Sequence, residues 1–249
     1  MPLSRIAVAA GLLSMVAGSA QAAEIVVICT TAPKEALIEI VPLYERASGN
    51  KINISFGSGP VVLEQVRAGV TGDLFIGPDE FADPLTKEGK LVAGSRVEFA
   101  VSGAGVAVRA GAPKPDVSTP EKFKAAMLAA RTVSHSAGAS GLHIARMFER
   151  LGIAAQIKAK LVAPKAGEPV GRVVARGDAE IGIQQLIELL PVAGITILGP
   201  LPGDLQRNIP YGTSTLPSST QRDTAKTFVG YLRSGEAAAI LKQKGMDPI

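Results

Sequence analysis

The 249-residue chain has no tryptophan, a single cysteine and two histidines. One cysteine cannot close a disulfide within the chain, so Cys29, at the end of the run Val26-Val-Ile-Cys29, reads as a small buried strand residue. Two histidines without carboxylates at ligand spacing do not make a zinc site. Aromatic residues are 4% of the chain, and the lysines and arginines are scattered rather than clustered, which disfavours nucleic acid as a partner. The chain has no G-x-S-x-G elbow, no phosphate loop and no H-E-x-x-H. Gly103-Ala-Gly105 lacks the third glycine of a dinucleotide fingerprint. Asp73, Asp79, Glu80 and Asp83 cluster in sequence, but nothing pairs them with a nucleophile, and they read as caps and surface. No catalytic residue, metal or cofactor is therefore expected, and the chain does not read as an enzyme. Beyond the N-terminus there is no apolar run of about 18 residues, so no membrane span is expected in the mature chain.

What is present begins with a leader. Arg5 supplies a short positive region, Ile6 to Ala17 an apolar stretch, and Ala20-Gln21-Ala22 an A-x-A cleavage pattern. Residues 1–22 thus read as a cleaved signal peptide, and the mature chain is expected in the periplasm. Cleavage removes Arg5 from a formal net charge of +4, leaving a mild positive balance that weakly favours an anionic ligand.

Strand-like and helical runs then alternate to the end of the chain. Glu24–Cys29, Ile52–Phe56, Asp73–Ile76, Val97–Ser102, Gly105–Arg109, Thr132–Ser134, Lys160–Val162, Ile181–Ile183, Thr196–Leu198 and Ile209–Ser214 read as strands. Pro33–Ser48, Pro60–Ala68, Pro120–Ala129, Ser140–Leu151, Pro169–Arg176, Arg222–Leu232 and Glu236–Lys244 read as helices, with Thr119 capping the third. Such alternation predicts a parallel or mixed α/β sheet. Two sets of about three βα units predict two lobes: residues 23–104 with 210–249, and residues 105–209.

In open α/β sheets, ligands bind beyond the carboxyl ends of strands, where helix N-termini favour anions. Small hydroxyl, glycine and amide residues recur at those turns. Thr30-Thr31 follow the first strand and Gly57-Ser58-Gly59 the second. Ser136 to Gly141, with Ser140 and Gly141 opening a helix, follow the short strand of the second lobe, and Gln184-Gln185 follow a later one. Each alone also reads as an ordinary cap, turn or lobe contact. His135 flanks this region, and Arg172 lies on a helix near it. His143 reads as packing, and Arg176 as a solvated face.

The segments Val26–Thr31, Ile54-Ser-Phe-Gly-Ser-Gly59, Gln65-Val-Arg-Ala-Gly69, Gly72-Asp-Leu-Phe-Ile-Gly77, Ala179–Ile183 and Ser234–Lys242 resemble the periplasmic molybdate-binding-protein-like family of ABC transporter substrate-binding proteins. The resemblance implies the type II periplasmic binding protein fold: two Rossmann-like lobes joined by two hinge strands, closing like a flytrap on a ligand in the cleft. It implies a monomer that serves an ABC transporter permease. It places ligand hydroxyls on Thr30 or Thr31 and on Ser58, and backbone donors near Ser140 and Val170. Where the molybdate binders carry a tyrosine after the Gly-Ile strand, this chain has Gln184-Gln185. Two ligand classes stay open, a small oxyanion such as molybdate or tungstate and an organic acid such as a di- or tricarboxylate, and a ligand-sensing or enzymatic role remains the alternative to transport.

Overall fold

Strand and helix alternate as the sequence predicts, and helices stop where local chemistry stops them. The computed structural model describes residues 22–136, 139–165 and 167–249; all but the last residue of the leader lies outside them. The first elements are β1 (Glu24–Thr30), α1 (Lys34–Ser48), β2 (Lys51–Gly57), α2 (Gly59–Arg67), β3 (Leu74–Pro78), α3 (Asp79–Lys87) and β4 (Val97–Ser102). β5 (Ala104–Arg109), α4 (Pro120–Ala129), β6 (Val133–His135), α5 (Ala139–Arg150), α6 (Ala154–Lys158), α7 (Val170–Arg176), β7 (Ile181–Gln185), α8 (Leu186–Leu189) and β8 (Ile195–Pro200) follow. The chain ends with β9 (Ile209–Thr215), α9 (Arg222–Leu232), α10 (Gly235–Gln243) and β10 (Asp247–Pro248).

Among the described residues these strands form two sheets. One has six strands in the order β10-β4-β9-β3-β1-β2, the other four in the order β6-β7-β5-β8. Both are mixed: β1 pairs in parallel with β2 and β3, while β9 runs antiparallel to β3 and β4. In the smaller sheet β6 and β7 are parallel, and β5 is antiparallel to its neighbours. Each sheet is the centre of a lobe.

Lobe one is covered on one face by α1, α9 and α10. There Leu37, Ile40 and Tyr44 pack with Phe99, Phe228 and Leu241 over Ile25 and Val27. On its other face Val62, Val66, Ala82 and Leu85 from α2 and α3 cover Ile28 and Phe75. Lobe two is built around Phe123, Met127, Ile144, Met147 and Phe148 against Val106, Val133 and Ile183. Fully burying side chains of this size stabilises by roughly 1.5–3 kcal/mol each.

The lobes are joined twice. β4 belongs to the larger sheet and β5 to the smaller, with only Gly103 between them, and the return crosses between β8 and β9. Gln206 ties the two crossings: its Oε1 accepts from the Ala104 N–H (3.1 Å), and its Nε2 donates to the Ala104 carbonyl (3.0 Å). A Cβ at Gly103 would lie 2.4 Å from Gln206 Nε2, so glycine leaves room for the Gln206 amide in this arrangement. Arg207 on the return pairs with Glu80 of α3 (3.1 Å).

Some expectations are corrected. α3, α6, α8 and β10 were not foreseen. Asp79 and Glu80 sit in the first turn of α3, where the helix dipole favours acids, so part of the acidic cluster starts a helix. Asp73 is no surface residue. It is 4% exposed, its Oδ2 accepts from the Val26 N–H (2.9 Å), and its Oδ1 accepts from Ser219 Oγ and the Thr220 and Gln221 N–H groups. Lys160–Val162 is no strand: it makes an isolated bridge, Leu161 against Val133. Gln184 and Gln185 end β7 rather than follow it.

Candidate functional site

Between the lobes lies a cleft of about 410 Å³, within the usual range of small-molecule pockets. Lobe one lines it with the ends of β1 and β2: Thr30, Thr31, Ser58 and Gly59, beside Pro78 and the Phe81 ring. Lobe two contributes Ser136, Lys165, Glu168, Gln184, Gln185 and Glu188, and Tyr211 of β9 joins them. A second hollow of about 450 Å³ lies within lobe two, lined by Val108, Pro113, Ala126 and Ile181 with Arg109, Arg131 and Glu180. One lobe makes it, and Arg131 is already paired with Glu180. The interlobe cleft, where strand ends from both sheets converge, is the site of interest.

Seven of the residues singled out in the sequence, Thr30, Thr31, Ser58, Gly59, Ser136, Gln184 and Gln185, come together here. Thr30 is 3% exposed, and its hydroxyl finds no hydrogen-bond partner among the described residues. A buried hydroxyl left unpaired costs about 1–3 kcal/mol unless something else accepts its proton. Neither Thr30 nor Thr31 caps α1, whose N-cap is Pro33. The Thr31 N–H donates to the Gly57 carbonyl (2.9 Å), joining the two turns. Ser58 is the N-cap of α2, yet its side chain makes no capping bond, which leaves the exposed hydroxyl to the cleft.

The other expected residues stand differently. The Ser140 side chain lies outside the described part of the structure. Gly141 is in the first turn of α5 against the Ser136 backbone: a Cβ there would lie 1.8 Å from the Ser136 carbonyl oxygen, so its role is close approach. The Val170 N–H is already bonded to Gln184 Oε1 (2.8 Å), behind the cleft wall. His135 Nδ1 lies 2.9 Å from the Ser136 carbonyl, with its ring near Phe148, and His143 Nε2 lies 3.1 Å from the Leu205 carbonyl. Arg172 is exposed on α7. Arg176 binds Glu168 and Asp178, which holds the Glu168 carboxyl below its usual range. No group of residues that could hold a metal is found among the described residues.

The cleft floor was not foreseen. The Tyr211 hydroxyl donates to Gln185 Oε1 (2.8 Å), linking the sheets of the two lobes. Burial, and then the nearby Glu188, push the Tyr211 pKa well above its ordinary value, so the phenol stays protonated. Glu188 is half-buried on α8, and burial pushes its carboxyl up to about 7, while a hydrogen bond from the Gln184 amide pulls the other way. The floor therefore holds a carboxyl that titrates near neutrality, next to hydroxyls and amides suited to anions.

Residues 25–247 match the model of the bacterial extracellular solute-binding protein family. The chain belongs to that family. Its relatives include an isomerase and binding proteins. The chain is 35% identical to an aconitate isomerase from a Pseudomonas species over 217 residues, 85% of this chain and 82% of that one. It is 28% identical to the molybdate-binding protein of Azotobacter vinelandii, covering 98% of this chain and 97% of that one. The solved structure of the Azotobacter vinelandii periplasmic molybdate-binding protein superposes with a TM-score of 0.73 at 22% identity, over 89% of this chain and 98% of that one. The family member described here thus has the two-lobed fold of the periplasmic binding proteins, and no helix among the described residues is long and apolar enough to cross a membrane.

Proposed function

We propose that this protein is an extracytoplasmic receptor that captures a small organic polycarboxylate of the aconitate class in the interlobe cleft and presents it to an ABC transporter permease. The leader Met1–Ala22 would deliver it to the periplasm. The observation that carries the ligand class is Glu188. A desolvated oxyanion of fixed charge is best held by neutral donors alone, and an ionising carboxyl beside it is repulsive. A carboxylate ligand can share the proton that Glu188 holds near neutral pH, a short charge-assisted bond. The size of the cleft and the presence of Lys165 in its wall fit a ligand with several carboxylates, and the isomerase relative acts on such a compound. Hydroxyls on Thr30, Thr31 and Ser58 would hold one carboxylate at the strand ends of lobe one. A tetrahedral oxyanion is the second reading, supported by the same turns and by the molybdate-binding relatives.

A thermal-shift screen of residues 23–249 separates the two. A ligand at 100 times its dissociation constant adds about 2.7 kcal/mol, a shift of several degrees. A shift with cis-aconitate, trans-aconitate or citrate, and none with molybdate or tungstate, is the expected result. A shift with molybdate and tungstate alone overturns the ligand class and leaves the receptor.

A further inference from the structure

We propose that Glu188 is a catalytic base and acid that carries a proton between two carbons of the bound polycarboxylate, so that the cleft shifts its ligand's double bond as well as holding it. This rests on the ligand class proposed above.

The case starts from where Glu188 sits. α8 begins directly at the end of β7, and the Leu186 N–H donates to the Gly103 carbonyl at the first crossing (2.9 Å). Ile187, 1% exposed, is buried in the core of lobe one beside Tyr211 and Met246. A helix that continues a lobe-two strand is thus anchored in lobe one, and the carboxyl it carries lines the cleft at its hinge. Lobe movement about the crossings would displace this floor least. Gln184 fixes the carboxyl further. Its Oε1 accepts from the Val170 N–H, which turns its amide donor toward Glu188.

The neighbours suit proton transfer. Tyr211 of β9 stays a neutral phenol, and Glu80 of α3 lies near it and is bound by Arg207. Glu168 is held by Arg176, and Lys165 lines the opposite loop. Lys244, at the end of α10 and next to Gly245, which adjoins α8, is bound to Glu39. Burial dominates at Glu188 itself and sets its carboxyl to about 7, so both protonation states are populated at neutral pH.

The step is balanced without any co-reactant. In a unit –CH2–C=CH– flanked by carboxylates, ionised Glu188 takes a proton from the methylene carbon. That C–H bond breaks, its electron pair becomes a double bond to the central carbon, and the pair of the original double bond moves onto the far carbon and its carboxylate. Protonated Glu188 returns the proton to the far carbon, and a C–H bond forms there. The double bond has moved by one position, and Glu188 is again ionised. The unpaired Thr30 hydroxyl and the Ser58 hydroxyl are the donors available to the carboxylate that carries the transient charge.

The test is proton NMR of cis-aconitate incubated with residues 23–249 in D2O, alongside the thermal shift with the same compound. Deuterium entry at the methylene and vinyl positions with conversion to the trans isomer is expected, with a rate that rises through about pH 7. Glu188→Gln, assayed at ligand concentrations that saturate it, is expected to lower the rate about 10²–10⁴-fold, and Glu188→Asp to keep part of the rate. A thermal shift without exchange in the wild-type protein, or exchange at the wild-type rate in Glu188→Gln, overturns the catalytic role and leaves the receptor intact. No shift with cis-aconitate or any other polycarboxylate overturns the ligand class and this role with it.

Discussion

Thr30 and Asp73 are both buried polar residues at strand ends, and they do opposite jobs. The four donors on the Asp73 carboxylate join β1 to the segment that leads into α9, so it is a scaffold residue. Asp73→Ala leaves buried N–H groups without acceptors, and a loss of about 2–4 kcal/mol in urea denaturation is expected. Thr30 has a hydroxyl that no group among the described residues uses. Thr30→Val keeps the shape and removes the unpaired group, so stability should hold or rise slightly. Ligand affinity, measured by titration calorimetry, should fall by about 1.5–3 kcal/mol, the worth of a hydrogen bond to a charged acceptor. If affinity does not change, Thr30 is a packing residue and the hydroxyl has no ligand to meet.

At the scale of elements, two glycines expected at the site, Gly59 in the cleft wall and Gly141 behind Ser136, differ by what stands in front of them. A Cβ on Gly141 would meet the Ser136 carbonyl, which is backbone, so α5 itself must move. A Cβ on Gly59 would come within 2.2 Å of the Phe81 ring, a half-buried side chain that can swing. Gly141→Ala is therefore expected to cost more than about 2 kcal/mol by denaturation, because the added methyl overlaps backbone that cannot swing aside. Gly59→Ala should cost less stability but push the Phe81 ring, which lines the cleft, and weaken binding. The same distinction separates what could be read from the sequence from what could not. α1, α4 and α9 show a helical period or a cap that the sequence displays openly, and Thr119 does accept from the Lys122 N–H (3.3 Å). Thr30, Ser58 and Gln184 were legible because the rule about strand ends needs only local order. α8 is a four-residue helix, too short to show a period, and within Leu-Ile-Glu-Leu-Leu its acid looks like the wet side of an apolar turn. Tyr211 reaches the cleft only because β9 threads back through the larger sheet, a pairing between distant segments that no local pattern announces.

The whole molecule carries the consequence of Glu188 as a dependence of stability on pH. In the unfolded chain its carboxyl titrates at its ordinary value of 4.5; in the fold, burial raises it to about 7. Below the lower value both states are protonated, and the fold has the full advantage of a neutral buried group. Between the two the unfolded chain releases its proton and the fold does not, so stability falls as pH rises, by up to roughly 3 kcal/mol in total. The carboxyls that Arg67, Lys122 and Arg176 hold low, on Glu88, Asp116 and Glu168, act the other way. Their contribution is present above ordinary carboxylate values and is lost only as pH drops below them, outside the window from 5 to 8. Glu188→Gln imitates the protonated form. Its stability relative to wild type, from urea denaturation at pH 5, 6.5 and 8, should rise with pH and become largest at pH 8, with little difference at pH 5. A difference that stays flat across this window would mean that the Glu188 carboxyl is hydrated and ordinary in the fold, and a hydrated carboxyl would neither repel a fixed-charge oxyanion strongly nor hold a proton for transfer near pH 7. The pH series on the unliganded protein therefore tests the physical premise of both the ligand class and the proton transfer before any ligand is added.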